Sequence, residues 1–171
     1  RPKPGARERW GCREMERLEH DDPAAKVLAG DRRLTMQLMG LWRGLRATDG
    51  CPRRETFLAA VPPELLEDCF VAVPTLEGGA LCRIGGRIGH LSGVAGDSCP
   101  VRDLPPGTLL WVVTRDVREA VARATPVVSD GEFQAHGRRV LYRSILLPLA
   151  DDGGEVDRVF GGARCRILQD A

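Results

Sequence analysis

Cysteines, histidines and paired carboxylates are the residues of this chain that could do chemistry. The cysteines are Cys12, Cys51, Cys69, Cys82, Cys99 and Cys165; the histidines are His20, His90 and His136. A structural zinc site needs two ligand pairs at short spacing. Here no two cysteines form a CxxC pair, and neither Cys82 with His90 nor Cys12 with His20 has a second pair to complete a tetrahedron. No metal site is expected. An even cysteine count suits a disulfide framework in a small secreted domain. A chain of 171 residues can build a core without such staples, so reduced, partly buried thiols are the simpler expectation. Gly85-Gly86-x-x-Gly89 and Gly93-x-x-Gly96 are glycine-rich, but they lack the strand–glycine–helix fingerprint of dinucleotide sites and no phosphate-loop lysine follows. There is no GxSxG elbow and no credible Ser/His/Asp set. Asp151-Asp152-Gly153-Gly154 reads as a hairpin turn rather than a metal-binding carboxylate pair. These residues point to binding rather than catalysis: no catalytic residue is assigned, and the chain is not expected to be an enzyme.

The balance of charge narrows the partners. Formal net charge is +1, which gives no reason to expect nucleic acid or an anionic membrane. The apolar runs Leu109–Val113 and Ile145–Ala150 are far too short to cross a bilayer. Arg1 to Trp10 is basic with no apolar stretch behind it, unlike a secretory signal, so the expected location is cytoplasmic. Residues 1–30 are charged and proline-bearing, with few large apolar side chains. They are expected to form a flexible or loosely docked extension, with a short polar helix from Glu8 to His20. Residues 31–171 are expected to form the domain.

The elements that must position any site follow from periodicity. Asp31 is a plausible cap for an amphipathic helix from Arg32 to Arg46, in which Leu34, Leu38, Leu41 and Leu45 form a stripe with Trp42 beside it. Such a stripe packs either on the sheet of its own chain or on a partner. Arg54 to Cys69 reads as helix interrupted by Pro62-Pro63. Phe70 to Glu77 reads as a strand, Gly78-Gly79 as a turn, and Ala80 to Ile88 as a strand with Cys82, Ile84, Gly86 and Ile88 on one face. His90 to Gly107 suggests only short turns. Thr108 is placed to cap a helix from Leu109 to Ala124, with a stripe of Leu110, Val113, Val117, Val121 and Ala124, ended by Pro126. Three strands close the chain. Val127 to Ala135 is expected to break at Asp130-Gly131, Val140 to Leu149 is the strongest, and Val156 to Leu168 is expected to bend or bulge at Gly161-Gly162. Ala163, Cys165 and Ile167 alternate with Arg164 and Arg166, as in a sheet covered on one side. The sum is an α+β fold: a five-stranded antiparallel sheet with helices on one face, preceded by an N-terminal helix.

Several stretches, taken in order, carry a resemblance. They are Leu41-Trp42-Arg43, Cys51-Pro52-Arg53-Arg54, Leu65 to Phe70, Cys82-Arg83-Ile84-Gly85-Gly86, Val121 to Val127, Leu141-Tyr142-Arg143-Ser144-Ile145-Leu146-Leu147-Pro148-Leu149-Ala150-Asp151-Asp152-Gly153, and Phe160-Gly161-Gly162. From Arg32 to Leu168 the chain resembles the PAS domain family, and more narrowly the compact, often standalone PAS proteins of alphaproteobacteria. The resemblance implies a signalling domain that holds a small ligand between sheet and helices, or only mediates protein contacts, with a helix ahead of the fold that often dimerises. It carries no catalytic residue. It implies pocket candidates Ile84, Gly86, Ile88, His90, Leu110, Val113, Val117 and Tyr142, and dimer-helix candidates Leu34, Leu38, Leu41, Trp42 and Leu45. His90 to Pro106 departs from the family in its glycine and proline content, which implies an altered or collapsed pocket.

Cofactor identity stays unassigned at this stage. Haem-binding relatives take their axial histidine from the long helix before the last three strands, and Leu109 to Ala124 has no His, Cys or Met. Gly96-Asp97-Ser98-Cys99 mimics the reactive cysteine of light-sensing relatives, but those need an Asn before it and this chain has no Asn. The expected protein is a homodimeric signalling domain acting through contacts with a signalling partner, with a small-molecule or haem sensor and a ligand-free structural adaptor as alternatives.

Overall fold

The computed structural model describes residues 23–46, 48, 50–75 and 78–168, with side chains described from residue 33 onward. The proposed Glu8–His20 helix lies outside them. Helix α1 runs Pro23–Leu45, with proline in its first turn, where a missing N–H costs nothing. Asp31, expected as its cap, lies inside the helix, and the helix crosses residue 30 without a break. The leucine stripe marks where α1 meets the sheet, not where it begins. Helix α2 (Arg54–Ala60) and a 3-10 turn (Pro63–Asp68) follow, separated at Pro62 as expected.

The described residues form a six-stranded antiparallel sheet in the order β3-β2-β1-β6-β5-β4. Its strands are β1 (Cys69–Val73), β2 (Ala80–Cys82), β3 (Ser98–Pro100), β4 (Val127–Ala135), β5 (Arg138–Ala150) and β6 (Val156–Ile167). Strand β3, which pairs Cys99 with Leu81, falls in the stretch expected to hold only turns and makes the sheet one strand wider. The strand expected from Ala80 to Ile88 stops at Cys82. Arg83 takes a left-handed conformation (φ 52°), and helix α3 (Gly86–Leu91) begins three residues later. Ile84, Gly86 and Ile88 therefore do not share a strand face. The long helix expected from Leu109 to Ala124 divides into α4 (Leu109–Val113), a 3-10 turn (Thr114–Asp116) and α5 (Val117–Arg123). Thr114 is the cause we assign: its hydroxyl donates to the Leu110 carbonyl at 2.8 Å, the back-bonding that bends helices.

The last three strands form the expected meander. Its two glycine features differ from expectation for steric reasons. Strand β4 does not break at Gly131, which pairs with Tyr142 in an unbroken ladder; the Tyr142 ring lies 3.3 Å from where a Gly131 Cβ would stand and takes its space. Gly161-Gly162 is no bulge either, since both glycines stay in register with β1 and β5. A Cβ on Gly161 would run into the Phe70 ring, and one on Gly162 would come within 2.6 Å of Leu38 Cδ1. The pair lets a ring approach one face of β6 and a helix the other.

Two cores result, one per face. On the inner face Phe70, Ile88, Leu110, Val113, Leu146 and Val159 pack with α3, α4 and α5. On the outer face Leu34, Leu38 and Trp42 of α1 pack with Phe57, Leu147 and Phe160. The face expected to be wet is thus covered by α1 over the middle of the sheet, and the alternation of Arg164 and Arg166 describes only the end beyond it. Pro148 shows how closely helix and sheet are fitted. Strand β4 pairs β5 only as far as Leu146, so Pro148 lies on an open edge where a missing donor is tolerated. The Pro148 carbonyl is satisfied by the buried Trp42 indole at 2.8 Å.

Candidate functional site

The interior between sheet and helices is filled. Ile84, Ile88, Leu110, Val113 and Val117, all expected to line a pocket, are buried members of one apolar cluster. Gly86 is exposed at the start of α3, against the Glu67 carboxylate. Tyr142 is half-buried at the cluster's edge, where burial first and the Asp116 carboxylate second raise its phenol above the ordinary range. Of the expected pocket residues, only His90 lines a recess of about 690 Å³ at the far end of the sheet, the end carried by β4, β5 and β6.

Three elements build this recess. The floor is the inner face of the sheet's far end, where Phe133 pairs with Val140 and Val140 with Ile167. One wall is the last turn of α3, carrying His90 and Leu91; the other is the Pro105–Thr108 loop. The β4–β5 hairpin closes the rim. His136 and Gly137 form its two-residue turn with φ 51° and 74°, the left-handed pair that matches the twist of flanking strands. Among non-glycine residues, His is one of the few enriched at such positions.

Hydrogen bonds fix the walls to each other. The Gly85 N–H donates to the Cys69 carbonyl at 2.8 Å, and a Cβ on Gly85 would collide with the Leu66 and Glu67 backbone, so α3 starts flat against the preceding 3-10 turn. Asp68, at the end of that turn and almost fully buried, accepts from Arg87 Nη1 of α3 at 2.9 and 3.0 Å and from Arg164 Nε of β6 at 2.7 Å. Two arginines offset the burial of one carboxylate and tie α3 to the sheet. Cys69 beside it has its thiol pushed up to about 12, by burial first and the Asp68 charge second, against a smaller lowering by Arg164. At the other end of α3, the fully buried Ser92 hydroxyl accepts the Leu110 N–H at 3.1 Å. Ser92 thus takes the capping role expected of Thr108, whose own hydroxyl donates to Pro105 at 2.7 Å.

Sequence reasoning did not assign Phe133, His136, Arg138 or Ile167 to a site. Its signal was present: with His136-Gly137 as a two-residue turn, Ala135 faces Arg138 and Phe133 faces Val140, which puts all four on one face. Among the described residues no group of three His, Cys, Asp or Glu side chains could hold a metal ion, and no helix is long and apolar enough to cross a membrane.

Residues 31–163, which hold the helix ahead of the sheet and most of its strands, match a family model described as PAS domain. The chain belongs to the PAS domain family. Solved PAS domains are similar at low identity. That of Bordetella pertussis BvgS shares 18% identity over 68% of this chain and 87% of its own, with a TM-score of 0.41. One from Colwellia psychrerythraea shares 17% over 56% and 84%, with a TM-score of 0.40. A comparison with curated proteins finds no match. Membership makes this PAS domain a sensory and signalling module of a family that is typically not enzymatic.

Proposed function

We propose that this PAS domain is a ligand-responsive cytoplasmic module that acts through protein contacts, and that its ligand sits in the distal recess. One observation carries the reading. The interior candidates are packed against one another, while the recess has a volume of about 690 Å³, within the range of small-molecule sites. It also has a physical route to the rest of the fold. The α3 wall is clamped through Arg87 to Asp68, and Asp68 is held by β6 through Arg164. A ligand that shifts α3 acts on the sheet beneath α1. Leu34, Leu38 and Trp42 are occupied by the chain's own core, so homodimerisation through α1 would use its remaining surface: exposed Met36 and half-buried Leu41 and Leu45.

Native mass spectrometry tests this. The expected result is a small molecule bound to the purified protein and absent from Ala135→Trp, which places an indole in the recess at a partly exposed hairpin position. Equal retention of the molecule by Ala135→Trp would remove the recess as its site. An empty protein that still dimerises or captures its partner would favour the ligand-free adaptor.

A further inference from the structure

The lining of the recess narrows the ligand's chemistry, an inference that rests on the recess being a ligand site. Among the described residues its basic groups are His90, His136 and Arg138, and no Asp or Glu lines it. Strand β5 shows that this is not the strand's general habit. On the outer face, Arg139 pairs with Glu132 at 2.6 Å and Arg143 lies 3.8 Å from Asp130; both acids belong to β4. Arg138 points the other way and faces Ala135 across the ladder. Among the described residues it has no carboxylate partner. The outward arginines of the hairpin are matched and the inward one is not.

The apolar part of the lining is similarly uncommitted. Leu91 and Ile167 are 45% and 48% exposed, on α3 and β6 respectively, and Phe133 on β4 adds a ring to the floor. We propose that the recess binds a small amphiphilic monoanion: an apolar chain over Leu91, Phe133 and Ile167, and a carboxylate head at Arg138 and His136. A planar guanidinium donates two parallel hydrogen bonds to a carboxylate, a contact that an uncharged or cationic head does not make.

Octanoate, 1-octanol, octylamine and acetate serve as probes in isothermal titration calorimetry, alongside alkylation of Cys165, a partly exposed recess residue, followed by peptide mass spectrometry. Octanoate is expected to bind and to slow Cys165 alkylation, with octylamine and acetate binding far more weakly. Arg138→Gln should weaken octanoate roughly tenfold or more, the scale of one charge-assisted contact, and Arg138→Lys should recover part of the loss. Equal binding of octanol or octylamine, or an unchanged Arg138→Gln affinity, overturns the ligand class. If octanol protects Cys165 as octanoate does, the recess survives as a site and only the anion is lost. If octanoate binds without protecting Cys165 and Ala135→Trp leaves its affinity intact, the recess itself fails. Sedimentation with phosphatidylglycerol vesicles in place of octanoate binding would move the site to a membrane surface and overturn the small-molecule proposal.

Discussion

From Ser144 to Ala150 every residue of β5 is buried, whereas from Arg138 to Arg143 only Val140 is. The first stretch has α1 on one side and α4 and α5 on the other. The second has ion pairs on its outer side and the recess on its inner side. One strand thus passes from a closed half to an open half of the same sheet. Residues that hold the fold together are concentrated in the first, and residues available to a ligand in the second. Mutations should therefore separate stability from binding, and four of them set the scale.

Trp42→Ala in the closed half removes a buried ring and the donor to Pro148. Urea unfolding should show a loss of about 3–5 kcal/mol; a loss below about 1 kcal/mol would mean that α1 is not part of the fold. Gly161→Ala forces a methyl against the fully buried Phe70 ring, with an expected cost of about 2–3 kcal/mol. Asp68→Ala strips two arginines of their shared partner. Arg87 is 56% exposed and regains water, so about 2 kcal/mol is expected, below the usual 3–5 for a buried pair. If α3 transmits ligand occupancy, this variant should also uncouple recess binding from partner contact. Smallest of all, Arg138→Gln in the open half should change stability by no more than about 0.5 kcal/mol while reducing octanoate affinity. A large stability loss there would end the division into halves.

Cys69 adds a pH dependence to the closed half. Its folded thiol stands at about 12 against an ordinary 9.0. The unfolded chain releases the proton first, so the contribution is complete below pH 9.0 and is lost as pH rises toward 12. The slope approaches about 1.4 kcal/mol per pH unit. Cys69→Ala should flatten the alkaline limb of a stability–pH curve; an unchanged limb would mean that the thiol is not buried as described.

The sequence made the closed half far more legible than the open one. Leucines at helical spacing and the β-branched, leucine-rich run of β5 announce elements that bury a face, and motif order named the family. What escaped was governed by contacts between distant residues. Gly161-Gly162 looks like a bend in a linear reading, and only Phe70 and Leu38 reveal that it is a double close approach. Ser92 gives no hint that it will cap α4 from eighteen residues away. The recess escaped for another reason: it is made of loop ends and a hairpin tip, where glycine and proline report flexibility of backbone but not which faces meet.

Residue-resolved hydrogen exchange, on the protein as purified and after any bound molecule is stripped, tests the division most directly. In both samples amides of Ser144–Leu147, Leu149 and Val159–Ala163 should exchange only through global unfolding. On stripping, protection should fall at Gly89–Gly93 and Gln134–Leu141. A fall centred instead on Leu110–Val117 would place the ligand in the interior, and that result, or no change anywhere, would contradict the assignment of sensing to the open half.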